Sequence, residues 1–97
     1  MRVVTFSRVK EYTKEIPTTK IALEDWYHKT IKADWKSISD VRNTFNTVDY
    51  VGNNRFVFNI KGNHYRLVAI VILASQKVYI RFIGTHSEYD KIDCKTV

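Results

Sequence analysis

The chain has one cysteine, one proline and three glycines among its 97 residues. A lone cysteine, Cys94, has no partner for an intrachain disulfide and cannot build a cysteine-based zinc cluster, so a soluble, reducing compartment is expected. A single proline beside 44% hydrophobic residues excludes a disordered, low-complexity tail. Long apolar runs are also missing. The longest, Leu67–Ala74, falls far short of a bilayer span, and the residues after Met1 lack the apolar stretch of a secretory leader. Carboxylates are too dispersed to hold a divalent cation, since Asp90 and Asp93 alone do not make a two-metal site. The length suits one domain, residues 1–97, with no repeat and no linker.

A further absence points toward function. No Asp or Glu lies between Tyr50 and Ser87, while Arg55, Lys61, Arg66, Lys77, Arg81, His64 and His86 all fall in that stretch. Of the net charge of +6, most resides in the second half, where seven Lys/Arg face three Asp/Glu in residues 55–97. A field of one sign attracts polyanions and speeds their encounter, so the expectation is a nucleic-acid surface rather than a solubilising one.

Patterning gives the fold. Met1–Phe6 reads as a short strand. Ser7 is placed to cap a helix through Val9, Tyr12 and Ile16, which Pro17 ends. Thr19 is placed to cap a second helix over Lys20–Ala33, with Leu23, Trp26, Tyr27 and Ile31 on its apolar face. Ser37 and Asp40 form an S-x-x-D signal for a third, shorter helix with Ile38, Val41 and Phe45 inward. Trp26 and Trp35 keep helical company and belong to the core rather than to base stacking, and His28 is a surface residue. Gly52-Asn53-Asn54 is a turn signal, followed by three strands, Arg55–Lys61, His64–Leu73 and Lys77–Ile83. Gly84 breaks the pattern, and 86–92 is either a short helix or a turn. The expected class is α+β, of order β-α-α-(α)-β-β-β, with helices packed on one face of an antiparallel sheet.

Strand register then assembles a site. With Gly62-Asn63 as a two-residue turn, Lys61 faces His64, Asn59 faces Arg66 and Val57 faces Val68. Residues two apart share a face, so Asn59, Lys61, His64 and Arg66 point one way, while Phe56, Phe58, Ile60, Tyr65, Leu67, Ala69 and Val71 point toward the helices. A loop centred on Ser75-Gln76 pairs Leu73 with Val78, Ile70 with Arg81 and Val68 with Ile83. Thr85 then stands opposite Arg66 with His86 beside it, and Val78, Ile80 and Phe82 join the core face. Val68, Ile70 and Ile72 remain on the polar face, which implies that a packed loop or a partner covers part of it.

These residue types suit cleavage of an RNA backbone. The 2′-hydroxyl loses a proton, the leaving 5′-oxygen gains one, and the phosphate accumulates charge. A histidine matches proton transfer near neutral pH, and Arg and Lys stabilise the phosphate, with no metal required. His86 either does this work or caps the following turn. His64, at a hairpin tip, is either a contact to RNA or a solvated residue. Arg66 has a structural alternative as well, an ion pair with Asp49, Glu88 or Asp90.

The stretches 56–68 (FVFNIKGNHYRLV) and 78–90 (VYIRFIGTHSEYD), with Trp35, Phe45 and Asp49-Tyr50-Val51 upstream, resemble the HigB-type toxins of the RelE superfamily. The resemblance implies a bacterial, cytoplasmic endoribonuclease that cuts mRNA, commonly on the translating ribosome, without metal or other cofactor and without a membrane. It also implies a helix-turn-helix antitoxin of the HigA kind, through which the complex binds its operator DNA. By the same resemblance Arg66 matches the strand arginine at the scissile phosphate, and His86 the basic or acid–base position after the last strand. Where the best-known relatives carry a lysine pair, this chain has Val57 and Asn59, with Lys61 nearby, and Tyr89 stands nearest to their terminal tyrosine. The expected catalytic set is therefore His86 as base, Arg66 and Lys61 for charge, Asn59 for orientation, and Tyr89. Arg55, His64, Lys77 and Arg81 are expected to bind RNA. A ParE-like gyrase poison and a non-catalytic RNA-binding module are the competing functions.

Overall fold

Pro17 divides the helical half of the chain where its missing N–H demands. In the computed structural model, which describes residues 1–97, strand β1 (Arg2–Val3) leads into α1 (Phe6–Glu15). A single 3-10 turn at Pro17–Thr19 follows, and then α2 (Lys20–Lys32) and α3 (Ile38–Thr44). Strands β2 (Asp49–Gly52), β3 (Arg55–Ile60), β4 (Tyr65–Ile72) and β5 (Lys77–Thr85) come next, and α4 (His86–Tyr89) closes the order. The sheet runs β1-β5-β4-β3-β2. It is mixed rather than antiparallel, because β1 pairs parallel with β5. No helix is long and apolar enough to cross a membrane.

Two of the three expected caps differ. The α1 helix begins at Phe6, so Ser7 lies inside it. Thr5 precedes the helix, and its hydroxyl accepts from the Ile80 N–H at 2.7 Å, tying the helix start to β5. Thr19 is buried and donates to the Ile16 carbonyl at 2.7 Å, a bond within the turn rather than a cap on α2. Ser37 does cap α3, accepting from Asp40 N–H at 3.2 Å, while the Asp40 carboxylate accepts from the Lys36 N–H at 2.8 Å. On α2 the inward face includes Thr30, whose hydroxyl donates to the Trp26 carbonyl, and Ile31 is exposed instead.

Helices α1–α3 cover one face of the sheet. Val9, Leu23, Trp26, Trp35 and Val41 meet Phe56, Phe58, Ile60, Leu67, Ala69, Val71, Val78 and Ile80 in one core. Trp26 packs edge-on to Phe58 at 5.5 Å and Phe45 edge-on to the same ring at 5.2 Å. The β3–β4 register is the expected one, with Asn59 opposite Arg66 and Val57 opposite Val68. The turn differs: Ile60 pairs with Tyr65, and positive φ falls on Lys61 (53°) and Gly62 (66°), not on Asn63.

The β4–β5 register departs from expectation. The four-residue loop spans 73–76 rather than 74–77, so Ile72 pairs with Lys77. A bulge then places Arg81 as an extra residue between Ile80, opposite Ala69, and Phe82, opposite Val68. One inserted residue reverses the alternation beyond it. Ile83 therefore joins the core, Phe82 turns to the other face, and Gly84, not Thr85, stands opposite Arg66. Strand β2 was not expected. It is a four-residue edge strand broken by its own bulge at Val51, between the paired Tyr50 and Gly52, and too short to alternate.

The second face of the sheet is not bare. The α4 helix and the segment after it lie across it. Arg55 donates twice to the Val97 main-chain oxygen, at 3.0 and 2.9 Å, and Arg81 once at 3.3 Å, while Asn53 holds the Lys95 carbonyl at 3.2 Å. Beneath this strap Val57 and Val68 are buried on a face that would otherwise meet water. Of the apolar residues expected on this face, Val68 is thus buried within the chain itself, while Ile70 and Ile72 stay partly exposed.

Candidate active site

Asn59 and Arg66 form a ladder pair on β3 and β4, so both side chains leave the same face side by side. Strand β2 pairs antiparallel with β3, Asp49 opposite Val57, and adds a wall beside them. The loop from α3, Asn46 to Val48, is drawn in by the buried Val48 and by the Val48 N–H bond to the Phe45 carbonyl at 3.0 Å. The α4 helix carries Tyr89 over the top. The result is a cleft of about 440 Å³ lined by Asn46, Thr47, Val48, Asp49, Val57, Asn59, Arg66 and Tyr89.

Arg66 is the cationic centre of this cleft. Its Nη1 donates to the Asn63 carbonyl at 3.2 Å and the Tyr65 carbonyl at 3.4 Å, and its Cζ lies 6.0 Å from the Tyr89 ring centroid. None of the chain's ion pairs includes it. The structural alternative, a salt bridge to Asp49, Glu88 or Asp90, is therefore not made. A half-buried guanidinium held by neutral oxygens keeps donors free for a planar, doubly bonded anion such as a phosphate.

Tyr89 stays protonated over a wide range. Burial foremost, then the Cys94 thiol and the Asp49 carboxylate, push its phenol up to about 12, against the opposing pull of Arg66. The group beside the cation is thus a neutral O–H donor at neutral pH. Asp49 is an exposed carboxylate at the opposite wall.

The remaining sequence-selected residues lie elsewhere. His86 is not in the cleft. Its ring Nδ1 faces Asp90 Oδ2 at 3.1 Å on the exposed side of α4, and its main-chain N–H donates to the His64 carbonyl at 3.1 Å. Lys61 leaves the Asn59–Arg66 side because its left-handed backbone turns it away, and it lines a groove with Thr18 of the 3-10 turn and Ile21, Ala22 and Asp25 of α2. Arg55, half-buried, and Arg81, exposed, both donate to the Val97 main-chain oxygen and hold the C-terminal strap, outside the cleft. Lys77 sits at the far end of β5, paired with Ile72 and beside Arg2. His64 is an exposed turn residue. Asn59, Arg66 and Tyr89 are brought together; His86, Lys61, Arg55, His64, Lys77 and Arg81 are not.

Asn46, Thr47 and Asp49 were missed as lining residues. The only sequence signal for them is the short Asp49–Gly52 strand, whose pairing with β3 swings the preceding loop against Asn59.

Comparison with known proteins agrees with this architecture. Residues 19–92 match the family described as HigB toxin, the RelE-like toxic component of a toxin–antitoxin system. The chain is 33% identical over 93 residues to the mRNA interferase toxin HigB of Escherichia coli K12, covering 93% of this chain and 88% of that one. A more distant relative, the mRNA interferase HigB of Escherichia coli O6:H1, is 23% identical over 94 residues, covering 95% and 91%. An α+β domain with a cationic, tyrosine-capped cleft on its second sheet face, matched over most of its length, belongs to the HigB family of RelE-like toxins of toxin–antitoxin systems.

Proposed function

We propose that this chain is an endoribonuclease that cleaves mRNA in the cleft between β2, β4 and α4. The observation that carries the reading is the unpaired Arg66 guanidinium sharing one cleft with an acceptor, Asp49, and a proton-bearing phenol, Tyr89. The relatives named as mRNA interferases support the same substrate.

In this reading the phosphate sits on Arg66, with Asn59 orienting it. The 2′-oxygen attacks the adjacent phosphorus while its proton passes to the Asp49 carboxylate. The bond from phosphorus to the 5′-oxygen breaks, and that oxygen takes the Tyr89 proton. The products are a 2′,3′-cyclic phosphate and a 5′-hydroxyl. A phenol near 12 is still far more acidic than the leaving alkoxide, so this transfer runs downhill, and the guanidinium compensates the phenolate that forms. Every step is carried by side chains of the chain. A second reading assigns the base to His86, supported by its Asp90 partner, which fixes one ring nitrogen and leaves the other free.

As a toxin of a toxin–antitoxin system the chain has an antitoxin partner. We assign that partner to the helix-turn-helix HigA class, with operator DNA bound through it, and place the reaction on translating ribosomes in the bacterial cytoplasm. The test is primer extension on a translated message with purified chain, with and without ribosomes. New 5′-hydroxyl ends are the expected result, and intact messages in both conditions exclude the reading.

A further inference from the structure

The motif at 84–89, Gly-Thr-His-Ser-Glu-Tyr, contributes only Tyr89 to the cleft, yet the other residues are not idle. The α4 helix has four residues, one turn, and a single turn fixes many dihedrals for very few bonds. What holds it is a reciprocal cap. The Thr85 hydroxyl accepts from the Glu88 N–H at 3.2 Å, and Glu88 Oε1 accepts from the Thr85 N–H at 2.8 Å. The Thr85 main-chain N–H foremost, and then the Thr85 hydroxyl beside the carboxylate, hold the Glu88 carboxyl below its ordinary range, so it is an anion and a strong acceptor. Gly84 makes room for the arrangement. A Cβ there would stand 2.5 Å from Phe82 Cζ and 3.2 Å from Glu88 Oε1. Gly84 is also the ladder partner of Arg66, so the capped turn spans the distance from Arg66's own strand pair to Tyr89.

We propose that Thr85 and Glu88 are positioning residues for the cleavage reaction: their reciprocal cap, seated on side-chain-free Gly84, holds Tyr89 over Arg66. The proposal rests on the assignment of this cleft as the RNA-cleaving site. A stabilising cap with no positioning role lowers the folded fraction when removed but leaves the turnover of folded enzyme unchanged. A positioning cap lowers kcat while the phosphate, still bound by Arg66, keeps KM.

The experiment uses the full chain with Thr85→Val and Glu88→Leu, and Thr85→Ser and Glu88→Gln as conservative replacements that retain an acceptor oxygen. Three quantities are read: the thermal midpoint, kcat and KM on a message, and the nuclear Overhauser effect between the Tyr89 ring and the Arg66 side chain. The expected result is a folded Thr85→Val or Glu88→Leu with kcat down by about 10²-fold at near-constant KM and the Tyr89–Arg66 Overhauser effect abolished. Thr85→Ser and Glu88→Gln restore both. If the disruptive pair does not fold, Glu88→Asp, one methylene too short to close the cap, takes its place with the same expectation. Wild-type kcat in any folded cap-breaking variant overturns the proposal, as does an undiminished Overhauser effect. Wild-type protein that cleaves no message overturns the assignment of the cleft instead, and the Overhauser effect then still decides whether the cap places Tyr89.

Discussion

The Arg66 guanidinium carbon lies 6.0 Å from the centre of the Tyr89 ring, with no carboxylate paired to it. The two residues come from a strand and from a helix on the far side of a bulged hairpin. Their juxtaposition joins a fixed cation to a neutral proton donor.

Removing the cation is expected to cost most. Arg66→Ala lowers kcat on a translated message by about 10²–10³-fold, the range for losing one preorganised donor to a developing anion. The variant keeps its thermal midpoint, because Arg66 hydrogen-bonds only to main-chain oxygens near a turn. Single-turnover cleavage with a parallel melt checks both statements. Retained cleavage in a folded variant removes Arg66 from the site.

The two candidate bases separate by substitution. Asp49→Asn lowers kcat by about 10²–10⁴-fold, while His86→Ala lowers it much less, because only Asp49 lines the cleft. The reverse order of the two variants assigns the base to the His86–Asp90 pair.

Stability is expected to fall in strong alkali. Tyr89 and Tyr12 are both raised to about 12, Tyr12 by burial first and then by Glu88, Tyr65 and Glu15. A folded-state value above the unfolded one, near 10, means the unfolded chain releases protons first. The contribution is complete below pH about 10 and is lost as the pH rises through about 12. Thermal melts from pH 8 to 12 are expected to show the drop, and Tyr12→Phe to shrink it. A flat profile for the parent chain contradicts both shifts.

Arg55 and Arg81 are expected to serve the strap and not the RNA. Arg81→Ala leaves the salt dependence of RNA binding unchanged, whereas removing a cation that neutralises one phosphate lowers the log–log slope by about 0.7 for a single strand. The same variant speeds amide exchange over residues 93–97, whose main-chain oxygen Arg81 holds. A reduced slope returns Arg81 to the RNA-binding surface.

Core losses follow volume. Trp26→Ala, which empties a site packed on Phe58, is expected to cost about 3–5 kcal/mol by urea denaturation. A cost below about 1 kcal/mol contradicts the burial of that ring.

The sequence alone determined the α+β class, the helix break at Pro17, the Ser37 cap, the β3–β4 register and the pairing of Asn59 with Arg66. Each is set within a few residues, by a missing N–H, by side-chain capping, or by an alternation of two in which a slip would expose Phe56 and Phe58. The tertiary structure decided what depends on distant partners. The bulge at Arg81 exchanged Phe82 for Ile83 in the core and set Gly84 against Arg66. The left-handed Lys61 turned a presumed catalytic lysine toward α2. The edge strand β2 brought Asp49 into the cleft, and the one-turn α4 chose Tyr89 over His86 to face it. Bulges and edge pairing take their energy from residues far along the chain, and a local pattern carries no record of them; the one-turn α4 is capped locally by Thr85 and Glu88, and only the face it turns to the sheet is set from afar.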